Sequence, residues 1–311
     1  MSEFVHKSVL FEETVDALCV KPDGIYADLT LGGGGHSGEI LNRLSTGHLY
    51  AVDRDMDAIE HCSQKFGSVS EKVTLIHRNY ASFGDIIVEY GINRLDGVCM
   101  DLGVSSHQLD LSERGFSYMK DAPLDMRMNR EDALSAYDVV NGYSRDELKR
   151  ILYQYGEETF APKIASEIDK QRQIKPIETT LELSEIIKNA LPPKAREGGH
   201  HPAKKSFQAI RIAVNGELDA IEPAIRSAVD ALSPGGRIAV ITFHSLEDRI
   251  VKQTFADLEK GCTCPKDFPV CVCGKKPQLR AVNRKPILPS EEELENNPRS
   301  RSAKLRVAEK C

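Results

Sequence analysis

Tyr26-Ala-Asp-Leu-Thr-Leu-Gly-Gly-Gly-Gly-His-Ser-Gly38 is the stretch whose reading decides the fold. An apolar run ends on polar residues, and four consecutive glycines follow. A helical pattern opens at about Glu39, with Ile40, Leu41 and Leu44 as its apolar positions. The pattern reads as strand, tight glycine turn, helix. Glycines at such a turn let backbone N–H groups approach a ligand closely, because no side chain intervenes. Gly33, Gly35 and Gly38 have the Gly-x-Gly-x-x-Gly spacing of a dinucleotide site. Many nucleotide-like cofactors share that spacing, so the flanking strands must decide between them.

Outward from the glycines, residues 25–29, 48–52, 73–77 and 95–100 read as strands separated by helical segments. This alternation predicts an α/β fold with a parallel, doubly wound sheet, whose ligands sit beyond the carboxyl ends of the strands. The polar residues at those ends are Asp28, Gly32–Gly35, Asp53, Tyr80 and Asp101. The alternation then stops. Ser144 with Glu147 and Thr179 with Glu182 form capping boxes ahead of apolar helical runs, and Pro192-Pro193 closes the second run. Residues 206–232 read as one long helix that Pro223 kinks or splits. A fifth strand covers 237–243 and runs into His244, and a late strand covers 303–308. The expected organisation is a core over residues 1–109, a helical insertion over 110–205, and a returning core over 206–311. The last part contains a cysteine-rich basic loop over 260–289.

The chain has 311 residues, 41% of them hydrophobic and 28% charged, which suits a globular protein with a sizeable core. No apolar run approaches the ~20 residues of a membrane helix. The first residues lack the basic-then-apolar layout of a signal peptide, so no membrane association and a cytoplasmic location are the expectations. A net charge of −6 argues against a protein that simply coats nucleic acid. Its distribution points elsewhere. Lys260, Lys266, Lys275, Lys276, Arg280, Arg284 and Lys285 face only Asp267 in one stretch. Lys194, Arg196, Lys204, Lys205 and Arg211 face only Glu197 in another. Two basic stretches on an acidic chain suggest a localised polyanion-facing surface, against the plainer reading of two solvated loops.

Four of the eight cysteines crowd together as Cys262-x-Cys264-x6-Cys271-x-Cys273. Four thiolates could hold Zn²⁺ tetrahedrally, although each pair has one intervening residue where a zinc knuckle usually has two. Reduced, buried cysteines or a redox-labile loop are the alternative, and the sequence leaves both open.

Two cofactors fit the rim. A nicotinamide dinucleotide would use Gly33, Gly35 and Gly38, with Asp53 on its ribose. It leaves the end of the fourth strand, the Ser233-Pro-Gly-Gly turn and the basic stretches without a role. S-adenosylmethionine uses the same glycines and Asp53. It also uses an acidic residue on the first strand (Asp28), a polar residue after the third (Tyr80) and an acidic end to the fourth (Asp101). A non-enzymatic scaffold with a degenerate cofactor site is the third reading.

Several longer segments go further: Asp28-Leu-Thr-Leu-Gly-Gly-Gly-Gly-His-Ser37, Asp101-Leu-Gly-Val-Ser-Ser-x-Gln108, Arg114-Gly-Phe-Ser-Tyr118, Pro123-Leu-Asp-Met-Arg-Met128, the His201-to-Asn215 run and Ile241-Thr-Phe-His-Ser-Leu-Glu-Asp-Arg249. Along nearly the whole chain these resemble the bacterial ribosomal RNA small-subunit methyltransferase H family, the cytosine-N4 methyltransferases also called MraW. The resemblance implies a methyltransferase core interrupted by a helical domain that helps hold RNA. It implies S-adenosyl-L-methionine as cofactor, with contacts at Gly34, Gly35, His36, Asp53, Tyr80, Asp101 and Gln108. It also implies methylation of a cytidine N4 amine in small-subunit (16S) ribosomal RNA near the decoding centre, with naked RNA or the assembled 30S subunit as partner. A homodimer is compatible with these features.

The chemistry asks for an acceptor of the amine N–H as positive charge develops on nitrogen. Asp101 is the candidate, with Ser105, Ser106 or a neighbouring carbonyl as alternatives. The Asp/Asn/Ser-Pro-Pro-aromatic motif frequent at this strand end in amine methyltransferases is replaced by Asp-Leu-Gly-Val. Lys204, Lys205 and Arg211 are candidates for RNA phosphates, and His244 either lines the substrate pocket or bonds locally.

Overall fold

The computed structural model describes residues 8–196, 201–262, 264, 268, 270 and 272–311. Among them, seven strands form one sheet: β1 (Ile25–Asp28), β2 (His48–Asp53), β3 (Val73–His77), β4 (Leu95–Asp101), β5 (Leu232–Thr242), β6 (Leu279–Ala281) and β7 (Lys304–Lys310). Their spatial order is β3-β2-β1-β4-β5-β7-β6. β1 to β5 run parallel, and β7 pairs antiparallel with both β5 and β6. The doubly wound sheet read from the sequence is therefore present. β6 has no counterpart in the sequence reading: three residues between loops carry too little periodicity to register.

The strands read as nearly continuous apolar runs because both faces are covered. Successive residues of one strand enter opposite cores. Val98, Met100, Ile238 and Val240 pack on one side with Phe83, Ile221, Ile225 and Phe255. Cys99, Ala239 and Ile241 pack on the other side with Val15, Ile40 and Leu41. A shift of one residue in register would exchange the two sets, so burial on both faces fixes the position of every strand end.

The chain divides into two compact units, one containing the described residues up to Gly103 and from Leu218 onward, the other Val104–Glu217. The second unit is wider than the 110–205 segment expected from sequence. Helix Lys204–Asn215 belongs to it, packing against helix Arg145–Gly156. A methyl group at Gly156 would lie 2.7 Å from the Lys205 carbonyl, so glycine permits that close helix approach. Ser144 with Glu147 and Thr179 with Glu182 form reciprocal capping boxes, as their spacing indicates.

The single helix expected over 206–232 is two helices, Lys204–Asn215 and Glu217–Ala231. The break falls at Gly216, which takes the left-handed C-cap conformation at φ 59°. Pro223 lies inside the second helix. No helix among the described residues is long and apolar enough to cross a membrane.

Candidate active site

Strand order reverses between β1 and β4, and the glycine loop leaves β1 at that switch point, where open parallel sheets bind ligands. The helix after the loop starts at Gly35, four residues before the apolar pattern at Glu39 announces it. Its N-cap, Gly34, is left-handed at φ 67°. A Cβ there would lie 2.7 Å from Cys62 Sγ and 2.8 Å from Phe66 Cζ, whereas one on Gly33 would meet nothing within 4 Å among the described residues. Gly34 is thus required by the backbone, whereas Gly33 is exposed and uncrowded by any described residue. The Gly32 N–H donates to Asp53 Oδ2 at 2.7 Å, and the Gly34 N–H to the Leu31 carbonyl at 2.8 Å. The Lys65 ammonium holds the Gly33 and Gly34 carbonyls at 2.8 and 3.0 Å.

Asp28 ties the loop to the sheet. Its Oδ1 accepts the Thr30 N–H at 3.0 Å, and its Oδ2 accepts the Ser37 hydroxyl at 2.6 Å. Thr30 Oγ1 in turn accepts the Asp101 backbone N–H at 2.6 Å. One buried carboxylate therefore joins the end of β1, the first helical turn and, through Thr30, the end of β4. Thr30 and Ser37 have positioning roles that the sequence reading did not assign. Their place on either side of the glycines, within hydroxyl reach of Asp28, is the signal for them.

Asp53 ends β2. Besides the Gly32 N–H, it accepts the Asp55 N–H at 2.8 Å. Burial raises its carboxyl to about 6. Tyr80 opens a short 3₁₀ turn after β3, partly buried against the core. Asp101 ends β4, with a buried Oδ1 that has no hydrogen-bond partner among the described residues. Burial, then the charges of Asp28 and Glu247, raise its carboxyl well above the usual range. An orphaned, destabilised carboxyl oxygen at a ligand-facing strand end is an acceptor held ready for a donor or a cation.

Glu247 is the group the sequence reading missed. It stands at N3 of helix Ser245–Glu259, and its Oε2 accepts the Phe243 and His244 N–H groups at 2.8 and 3.2 Å. His244 is the N-cap: its Nδ1 accepts the Glu247 N–H at 3.3 Å, which places the proton on Nε2. Nε2 lies 3.0 Å from Glu247 Oε1 but off the line of a hydrogen bond. Of the two readings given to His244, local bonding is the one its geometry displays. The signal was the His-x-x-Glu spacing, a capping box with histidine in the usual Ser/Thr position.

The remaining sequence-designated residues lie as follows. Gly35 has Ser8 against it, with a Cβ position 1.9 Å from Ser8 Oγ. His36 is buried, with Nε2 3.2 Å from the Val9 carbonyl and its ring stacked on Phe11 at 6.0 Å. Burial lowers its pKa against the opposing pull of Asp28. Gln108 belongs to the second unit, where it completes a capping box with Ser105. Lys204 and Lys205 are exposed on that unit, and Lys205 Nζ reaches the Glu157 carbonyl at 3.1 Å. Arg211 makes a two-pronged pair with buried Glu217 at 2.9 and 2.8 Å, so its charge is already answered inside the unit. Cys262, Cys264 and Cys273 lie close together, and Cys271 lies outside the described residues. A cavity of about 580 Å³ opens on the second unit among helices of mixed charge, including Arg145, Lys149, Asp146 and Glu167. Among the described residues it has no orphaned acceptor like the Asp101 Oδ1 at the end of β4.

The donor set discriminates between the two cofactors. A pyrophosphate needs free loop N–H groups and positive surroundings. Here the Gly32 and Gly34 N–H groups are already bonded, and Asp28, Asp53, Asp101 and Glu247 make the rim acidic. A ligand carrying a sulfonium and an ammonium suits an acidic rim, and a ribose diol suits Asp53. The residues present therefore fit S-adenosylmethionine.

Comparison with known proteins agrees along the whole chain. The model of the MraW methylase family matches residues 3–311. A ribosomal RNA small subunit methyltransferase H from Clostridium botulinum (strain Kyoto / Type A2) is 57% identical over 309 residues, 99% of each chain. Proteins of the same name from Brevibacillus brevis and Clostridioides difficile are 54% and 53% identical, each over 99% of this chain and 98% and 99% of their own.

Proposed function

The chain belongs to the MraW methylase family and is an S-adenosylmethionine-dependent methyltransferase of small-subunit ribosomal RNA; from that premise we propose that it methylates the exocyclic N4 amine of a cytidine near the decoding centre. The observation that carries the amine assignment is the buried Asp101 Oδ1, without a hydrogen-bond partner among the described residues. The cofactor, when bound, supplies an electrophilic methyl group on sulfur. Asp53 would hold the ribose hydroxyls, Gly33 would leave room for the methionine portion, and Tyr80 would stand beside the adenine. The N4 lone pair of cytosine is delocalised into the ring, so the amine is a poor nucleophile. Asp101 Oδ1 accepts an N–H bond from it, and that bond strengthens as positive charge develops on nitrogen. Burial and the neighbouring carboxylates make negative charge on Asp101 costly until such a charge arrives, so the interaction favours the transition state over the ground state. The target base must be unpaired or flipped to reach this rim. Exposed Lys204 and Lys205 serve RNA phosphates, and the cytoplasm is where such a substrate is met.

Incubation with methyl-labelled S-adenosylmethionine and small subunits from cells lacking the protein, followed by digestion to nucleosides, tests the assignment. Label is expected in N4-methylcytidine. Label on a ribose or on another base would overturn it.

Asp53 adds a pH prediction. With its carboxyl at about 6 in the folded protein, a proton occupies one of its oxygens below that pH. As pH drops through 6, affinity for S-adenosylmethionine is expected to fall, by roughly tenfold per pH unit well below 6. Calorimetric titration across this range checks it, and a flat profile removes Asp53 from the ribose.

A further inference from the structure

The cysteine stretch is the feature that methyl transfer leaves without a role. The Sγ atoms of Cys262, Cys264 and Cys273 all lie within 4.8 Å of one another. Cys262 and Cys273 are 3.7 Å apart at sulfur. A disulfide would bring two sulfurs to about 2.05 Å. A tetrahedral zinc with Zn–S bonds of about 2.3 Å holds its sulfurs roughly 3.8 Å apart. The observed separation is too long for a disulfide, and it matches both an S–H···S contact and two ligands on one metal.

Two further observations favour the metal. Backbone N–H groups are directed at the sulfurs: Cys264 N–H lies 3.4 Å from Cys262 Sγ, and Val272 N–H lies 3.4 Å from Cys264 Sγ. Such donors stabilise thiolates over thiols. In addition, no apolar packing among the described residues of the loop accounts for the convergence. Phe268, Val270 and Val272 are 51%, 69% and 73% exposed, so the loop turns its large apolar side chains outward. A short segment that brings thiols together without a core needs a cross-link, and in a reducing compartment that cross-link is a metal.

We propose that Cys262, Cys264 and Cys273 bind a zinc-class divalent cation through three thiolates, as a structural site that closes this loop. Each S–H proton leaves to solvent as its sulfur–metal bond forms, so assembly releases three protons. Three thiolates leave one position of the tetrahedron for a further ligand. The bound metal fixes the exposed Phe268, Val270 and Val272 between Lys260 on one side and Lys275, Lys276 and Arg280 on the other. The site stands apart from the methyl-transfer reading, and its test uses no activity.

The full-length protein, purified under reducing conditions without chelator, is expected to contain stoichiometric zinc. Addition of a strong chelator is expected to raise the reactivity of these thiols toward an aromatic disulfide reagent by roughly tenfold or more. Cobalt in place of zinc should give a thiolate-to-metal charge-transfer band that C264S loses. Protein that neither contains nor takes up zinc would overturn the proposal. So would thiols equally reactive with and without chelator, or thiols unmasked by reductant alone. The chelator experiment uses the unaltered chain, so a poorly folded C264S leaves the proposal testable.

Discussion

Asp101→Asn is expected to lower the rate of methyl transfer at saturating S-adenosylmethionine by roughly 10²–10³-fold, the usual cost of removing one acceptor or donor aimed at transition-state charge. The same substitution is expected to leave thermal stability unchanged or to raise it. The backbone N–H bond to Thr30 Oγ1 survives, because it does not involve the side chain. The side chain itself is a buried acid whose carboxyl is pushed up by burial and then by Asp28 and Glu247. An acid with a raised folded-state pKa loses stability as pH climbs above its unfolded value, so the amide removes a penalty at neutral pH. Activity and stability therefore move in opposite directions, which a merely structural residue would not produce. Rate at saturation, cofactor affinity and melting temperature are the measurements. If the whole loss lies in cofactor affinity and the saturated rate is unchanged, Asp101 binds the cofactor and the amine acceptor is elsewhere.

Gly34→Ala is expected to weaken cofactor binding on the order of 100-fold or more and to destabilise the fold by about 2–3 kcal/mol. The residue sits at φ 67°, where an alanine is strained, and its Cβ would fall 2.7 Å from Cys62 Sγ and 2.8 Å from Phe66 Cζ. Both neighbours are buried, so the glycine loop must move instead. That movement would break the Gly32 bond to Asp53 and the Lys65 grip on the loop carbonyls. Gly33→Ala is the paired control. No described residue lies within 4 Å of its Cβ position, so the melting temperature should hold while the added methyl group occupies space left for the ligand. Equal stability losses in both variants would mean that the loop shape, and not the open wall at Gly33, limits binding.

Much of the fold was legible because its signals are local. β1 to β4 announce themselves as apolar runs broken by turns, since a sheet covered on both faces asks for apolar residues at successive positions. The boxes at Ser144 and Thr179 are legible because a cap and its partner lie three residues apart. The start of the helix at Gly35 was hidden, because glycine and serine carry no apolar periodicity. The break at Gly216 was masked by Pro223, the stronger breaker in isolation. Arg211 looked like a cation open to phosphate, and only the folded chain brings Glu217 against it.

By itself the sequence determined which residues end each parallel strand, and hence that Asp28, the glycines, Asp53, Tyr80 and Asp101 share a rim. Strand ends follow from composition, and a parallel sheet aligns them. Only the tertiary structure decided what each of those carboxylates does. Asp28 became a buried tie between β1, the helix and Thr30. Asp53 became a brace for Gly32 with a carboxyl near 6. Asp101 kept one oxygen without a partner among the described residues. The physical reason is that a carboxylate's role depends on its desolvation and on the donors and charges around it. Those come from residues as distant in sequence as Glu247, which composition and spacing at the strand end do not encode.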